Sequence, residues 1–385
     1  MEFPNSKLTS YIYANTQHYE KSGVFYMFRK QKVNATYDIN EYHDFGFFWD
    51  PLLKLKKNTG KMVNYIKKNN RTLINQKIKG TSKEYIGKVF NKIFNYTLRV
   101  DPLTYHGTAI VKKNGNGTKF GEILDLPINE NEVLPNHTYQ KLILSNSSKN
   151  KNIFYEIRVP IFGNIIPCIF YKTRREDKRF ESKNIKVEIL RADEILSQEE
   201  LHQIIYYCKY INLDYGEIDI LRNNKDGKIY IIDVNNTPWW PCNKLTGSDR
   251  NIALNMFWNA FLEYFLPEKY TQYHIPDDKI DDYKKKNPKI IPYNEYKYVG
   301  HIDEDFDYNL VPEKKKKPEK TEKKKKTEKT EKTVILHGKI RKGVKKNKES
   351  TVNVENIITS PQKFNKKYSL IQLTKYKNKT HFIKT

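Results

Sequence analysis

Asp233 and Asn235 close the apolar run KIYIIDVNN (228–236), and Asp219 sits in the preceding run GEIDILR (216–222). Two carboxylates and an amide are hard oxygen donors of the kind Mg²⁺ takes while it keeps positions for phosphates and water. Whether they meet depends on the turn between them. The loop Lys225-Asp226-Gly227 matches the three-residue type with Gly in the left-handed position, and that register sets Asp219 directly opposite Asp233. Alternation then places Glu217, Asp219, Asp233 and Asn235 on one face and Ile218, Ile220, Ile232 and Val234 on the other. Facing carboxylates repel unless a cation lies between them. A solvated acidic face is the plain alternative.

Cations stand upstream. Lys112 ends the run GTAIVKK, and the following NGNG loop carries Gly115 and Gly117. Glycines let backbone N–H groups approach phosphate oxygens, and a lysine at the strand end meets their charge. The same four residues also suit an ordinary turn. Arg158 lies mid-strand in YEIRVPIFG, where a cation among apolar neighbours needs an anionic partner. Arg174, Arg175 and Arg179 follow one strand later, and a solvated basic turn accounts for them equally. Cys168, Cys208 and Cys242 have no metal or redox spacing, and no Cys/His or Ser/His constellation is present. Trp239 and Trp240 read as core at the exit of the strand, with an aromatic pocket wall as the alternative.

The elements that must position these groups are legible in outline. Thr81–Tyr96 reads as a helix, with Thr81 and Glu84 as a capping box and Ile86, Val89, Phe90 and Ile93 at helical spacing. A second helix starts at Ser197, with Glu200 three residues on. A third covers Asp249–Leu266, with Pro267 as its stop. Between the first two lie short runs rich in β-branched and aromatic residues: 108–113, 121–127, 138–144, 155–163 and 165–174. The order predicts an α+β fold. In the first eighty residues VFYMFRK (24–30) and FGFFWDP (45–51) read as strands.

Charge narrows the function classes. The 385 residues carry a formal +25, but Leu310–Thr385 holds 24 Lys+Arg against 7 Asp+Glu, so the preceding body is only +8. A basic surface spread over a whole domain would point to nucleic acid; here two thirds of the excess lies in the tail. That tail, PEKKKKPEKTEKKKKTEKTEKT and onward, is predicted to be disordered, a solvated spacer or a weak contact for nucleic acid or an acidic partner. Neither a signal peptide nor a membrane span is expected, and the sparse cysteines suggest a reducing, cytoplasmic setting. The abundance of Lys, Asn, Ile and Tyr suggests an AT-rich genome.

Taken in order, these pieces resemble the ATP-grasp superfamily, in the branch of ribosomal-protein glutamate ligases, glutathione synthetases and related carboxylate–amine ligases. LDYGEIDILRNNKDGKIYIIDVNNTP is similar to the family's metal-binding hairpin, and YEIRVPIFGNIIPCIFYKTRR to the strand pair before it. The resemblance covers roughly Thr81–Leu266. It implies two α/β subdomains clasping ATP (81–270), an N-terminal α/β segment (1–80), an extension (271–310) and the tail (311–385). It implies ATP and Mg²⁺ as cofactors, with Asp219, Asp233 and Asn235 holding the metal. Lys83, Lys112, Gly115 and Gly117 would contact phosphates, and the backbone of Gln140, Lys141 and Leu142 would read adenine. Arg158 would face the γ-phosphate or acyl-phosphate, and Arg174 the carboxylate substrate. The implied activity is ligation through an acyl-phosphate. A kinase acting on a hydroxyl, or a non-catalytic protein that binds nucleic acid through its tail, are the alternatives. The family commonly has Glu at the position of Asp233, and Gly where Trp239 and Trp240 follow Pro238.

Overall fold

The computed structural model describes residues 8–14, 22–51, 53, 59–71, 73–115, 121–181, 183–239, 244–276 and 293–301. The predicted tail, Gly117, Trp240 and Cys242 lie outside the described residues.

The chain opens with β1 (Thr9–Ala14), α1 (Gly23–Lys30), β2 (Asn34–Thr36), β3 (Phe45–Trp49), α2 (Thr59–Asn69) and β4 (Leu73–Ile74). The strands form an all-parallel sheet in the order β2-β1-β3-β4, an α/β arrangement. VFYMFRK belongs to α1 and not to a strand, which corrects the sequence reading. Val24, Phe25, Met27 and Phe28 are buried while Tyr26, Arg29 and Lys30 face out, a stripe of helical period that a β-prone composition disguised.

Next comes α3 (Lys83–Phe94), capped by Ser82, whose hydroxyl accepts from the Tyr85 N–H; the predicted cap at Thr81 is one residue early. A three-stranded antiparallel sheet follows, made of β5 (Gly107–Lys113), β6 (Gly121–Leu126) and β7 (His137–Lys141), ordered β6-β5-β7. Ala109, Val111 and Tyr139 pack with Leu126 on one face. The pairs Ile110–Gln140 and Lys112–Thr138 therefore stand on the other.

The large sheet is built from β8 (Ile153–Phe162), β9 (Ile165–Ile166), β10 (Ile169–Arg175), β11 (Lys186–Leu190), α4 (Ala192–Ile195), α5 (Gln198–Tyr210), β12 (Tyr215–Arg222) and β13 (Ile229–Asn235). Its order is β11-β10-β8-β12-β13, antiparallel throughout. The run predicted as one strand at 165–174 is split at Pro167-Cys168, since proline has no N–H for the ladder. The cap of α5 is the expected Ser197–Glu200 box. α6 (Gly247–Phe265) starts from a Thr246 cap, and Pro267 opens the next helix, α7 (Pro267–Tyr273), where a missing N–H is harmless. A last helical turn, α8 (Tyr293–Tyr296), precedes β14 (Tyr298–Val299), which pairs with β9.

Two cores hold this together. Ile157, Val159, Ile161, Ile218, Ile220 and Val234 cover one face of the large sheet and pack on α3 and α5. The other core joins the N-terminal sheet to α6, with Phe261 edge-on to Phe28 and Phe45, and runs to Phe162 and Phe170 at the end of the large sheet. Between its own apolar face and that second core, the large sheet presents a polar surface. Among the described residues no helix is long and apolar enough to cross a membrane.

Candidate active site

The hairpin brings Asp219 opposite Asp233 and Glu217 opposite Asn235, as the sequence predicts, but by a different route. Near the turn the pairs are Arg222–Ile229, Leu221–Tyr230 and Ile220–Ile231, one residue out of the predicted register. A bulge between Asp219 and Ile220 takes up the difference. Gly227 does adopt the left-handed conformation, at φ 68°. One consequence corrects the expected core: Ile231 is 1% exposed opposite Ile220, while Ile232 is only half-buried. At Gly216 an added Cβ would come within 2.5 Å of the Asn235 carbonyl oxygen, so the strands approach closely here.

Four more residues complete the row. Arg158 on β8 lies directly across from Asp219 and grips it with two bonds, Nε to Oδ1 at 2.8 Å and Nη2 to Oδ2 at 3.0 Å. Its Nη1 is 3.1 Å from Glu217 Oε2. The anionic partner that Arg158 required is thus supplied twice. Lys172 on β10, 1% exposed, donates to Asp219 Oδ1 at 3.1 Å and to Glu156, its cross-strand neighbour. Arg174 turns its fork onto Glu156 at 3.1 and 3.3 Å, and its Nε onto Asn184 at 2.8 Å. Arg174 therefore anchors Glu156 inside the sheet. Glu156 and Lys172 were not singled out from sequence, although each lies two residues before an arginine that was.

This packing sets the charges. Burial alone would raise the Asp219 carboxyl, but Arg158 and Lys172 outweigh it and hold the group well below the usual carboxylate range. Glu217, 3% exposed, goes the other way: burial pushes it up to about 7, with Asp219 adding to the rise and Arg158 opposing it.

The small sheet supplies the opposite wall. Lys83, the first residue of α3, is buried and donates to Asp233 Oδ1 at 3.3 Å and to the Gly115 carbonyl at 3.2 Å. It ties the start of the glycine loop to the hairpin. Lys112 points the same way; burial and the nearby Lys83 push its ammonium down to about 8, against the pull of Asp233 and Glu156. Beside it, among the described residues, Thr138 Oγ1 and Gln140 Nε2 are buried without a hydrogen-bond partner, as is Nη1 of Arg179, which enters from beyond β10. The N–H groups of Lys141 and Leu142 are already donated, to the Leu98 and Thr108 carbonyls at 2.8 and 3.2 Å. At this expected hinge the Gln140 side chain has a donor without a partner among the described residues.

The donor set fits a divalent cation. Asp233 is partly exposed, the Asn235 amide makes no hydrogen bond among the described residues, and a carboxylate offers about four acceptor positions, of which Asp219 uses three. Among the described residues no group of three or more His, Cys, Asp and Glu is placed to hold a metal, so any ion would rest on two carboxylates and an amide. An open cavity of about 570 Å³ at the N-terminal sheet, lined by Asp44, Arg71, Lys77 and Asp214 among others, contains none of the residues singled out from sequence.

Trp239 overturns the core reading. It is 60% exposed, and its backbone forms a bridge to Ser22 at the start of α1. Pro238 turns the chain out of the sheet, so the indole leaves the apolar layer that β13 buries.

No family model and no curated protein matches the sequence. Solved structures do show a likeness. D-alanine–D-alanine ligase from Bacillus anthracis complexed with ATP is 14% identical, covering 69% of this chain and 100% of its own, with a TM-score of 0.43. The ATP-grasp ligase PsnB with a minimal precursor is 11% identical, covering 68% and 99%, at 0.41. A Chryseobacterium gregarium RiPP-associated ATP-grasp ligase, in complex with ADP and a leader and core peptide, is 11% identical, covering 69% and 97%, at 0.40. In solved structures, then, the chain is similar to ligases, among them ATP-grasp ligases.

Proposed function

We propose that this protein is an ATP- and Mg²⁺-dependent ligase that activates a carboxylate as an acyl-phosphate for attack by an amine or a similar nucleophile. The observation that carries this reading is the chemistry of the cleft's two walls. The small sheet offers the Lys112 ammonium, lowered by burial, and Thr138 Oγ1 and Gln140 Nε2, which have no hydrogen-bond partner among the described residues. The large sheet offers carboxylates, an amide and guanidinium groups. A polyphosphate with a base at one end is rich in acceptors and matches the first wall. Its cation matches the second.

In this reading Lys112 and Lys83 meet phosphate oxygens, Gln140 contributes to base contact, and Asp219, Asp233 and Asn235 hold Mg²⁺. Bound Mg²⁺ would offset the negative charge of the phosphates. Arg158, set at the junction of Asp219 and Glu217, faces the transferring phosphoryl group. A carboxylate oxygen of the substrate attacks the γ-phosphorus, ADP leaves, and an acyl-phosphate remains. The nucleophile then attacks the acyl carbon, phosphate departs, and the proton from the nitrogen is lost to solvent or a nearby base. The protein supplies position and charge, with no side-chain nucleophile.

The test is MgATP-dependent thermal stabilisation of the full chain, followed by ADP release with mixed pools of carboxylates and amines. Wild type should be stabilised, and Asp219→Ala and Asp233→Ala should not. A folded wild type that MgATP leaves unshifted would sink the proposal. ADP release that needs hydroxyl compounds rather than carboxylates would replace ligase by kinase.

A further inference from the structure

Lys172 is the most deeply buried charged group of the row, and burying an ammonium is costly without anionic partners. It has two, on different strands: Glu156 of β8 and Asp219 of β12. Arg158 and Lys172 together saturate Oδ1 of Asp219 and leave Oδ2 with a single bond. Three carboxyl groups, Glu156, Glu217 and Asp219, stand against three cationic groups, Arg158, Lys172 and Arg174, so the carboxyls are at least matched. The surface that would receive a divalent cation is therefore nearly neutral before any ligand arrives.

We propose that Lys172 is a positioning residue that orients Asp219 toward an incoming cation through Oδ2 and, by cancelling its charge, weakens cation binding until a nucleotide brings its own negative charge. This rests on the nucleotide-and-Mg²⁺ reading of the same site. Lys172 thereby makes cation and nucleotide binding interdependent. A carboxylate row without it would draw divalent ions on its own. A merely structural lysine would have the opposite signature, since its loss would loosen the sheet and weaken every ligand.

The experiment measures Mn²⁺ alone, by the paramagnetic signal of the free ion, against the full chain and its variants without nucleotide. Lys172→Gln keeps hydrogen-bonding capacity and removes the charge; it should bind Mn²⁺ about tenfold more tightly than wild type, the scale of one nearby charge. Lys172→Arg, which keeps the charge, should stay within about twofold of wild type. The Mn²⁺ gain from adding ATP should shrink in Lys172→Gln. A folded Lys172→Gln with unchanged or weaker Mn²⁺ binding overturns the inference, as does the absence of Mn²⁺ binding in both proteins. Should Lys172→Gln not fold, Glu156→Gln gives the ammonium wholly to Asp219 and should weaken Mn²⁺; no change there overturns the inference. Wild type that MgATP leaves unshifted would count against the nucleotide reading, while the Mn²⁺ comparison still decides the role of Lys172.

Discussion

Lys112 makes the nucleotide reading measurable through protons. Its ammonium lies at about 8 because burial and Lys83 disfavour the charge more than Asp233 and Glu156 favour it. A lysine lowered in this way is half neutral at pH 8, whereas phosphates placed against it would restore the charge toward its ordinary value of ~10.4. ATP binding should then take up roughly 0.5 proton at pH 8 and close to 0.9 at pH 9. By the same linkage the affinity should fall about tenfold between pH 7 and pH 9, since the free protein must first regain the proton.

Calorimetric titration of MgATP in buffers of different ionisation enthalpy reads the uptake directly. Lys112→Arg, charged throughout this range, is the control and should show neither the uptake nor the decline. Uptake near zero at pH 9 in wild type would refute the placement of Lys112 against the phosphates. An equal decline in Lys112→Arg would assign the pH dependence to another group.

Asp219 and Asp233 should separate in stability while agreeing in function. Asp219→Asn strands Arg158 and Lys172 without a full partner and should cost about 3–5 kcal/mol in denaturant unfolding. Asp233→Asn takes the charge from the partner of the buried Lys83 but keeps an amide oxygen to accept from it, and should cost about 1–2 kcal/mol; both should lose the MgATP thermal shift. Glu217 is raised to about 7 from an unfolded 4.5, so the folded state keeps its proton longer and stability falls as pH rises between those values. Glu217→Gln should therefore gain up to about 3 kcal/mol over wild type at pH 8 relative to pH 4, read from urea curves at the two pH values. Gly216→Ala should cost about 1–3 kcal/mol and also weaken Mn²⁺ binding with ATP present, because its Cβ pushes on the Asn235 carbonyl.

Strand period made half the site legible. The pairing of Asp219 with Asp233 followed from turn chemistry, and the need of Arg158 for an anion followed from its apolar neighbours; both are present. Glu156 and Lys172 were reachable by the same period of two, counted back from Arg158 and Arg174. What hid them was the pairing of β8 with β10, which joins Glu156 to Lys172 and no local pattern specifies. The bulge beside Asp219 was likewise invisible, because a wrong loop register and a compensating bulge cancel at the residue that mattered. The opening segment failed for another reason: VFYMFRK has strand-like composition, and only the packing of α1 beneath β3 and α6 selects the helix. Trp239 failed because burial after a proline depends on where the chain turns, which the local sequence leaves open.

The small and large sheets treat their polar groups in opposite ways, and the proposed function draws on that asymmetry. The large sheet would repel itself if Glu156, Glu217 and Asp219 stood alone, so it carries three cations of its own and is stable without a ligand. The small sheet leaves Thr138 Oγ1 and Gln140 Nε2 buried and unpaired among the described residues, a cost that an acceptor-rich ligand would relieve. On the proposed nucleotide reading, binding would gain most on the small sheet, while on the large sheet it would mainly exchange internal ion pairs for external ones. Arg158 stands at that exchange, since the group it grips in the resting state is the carboxylate that an arriving cation would share.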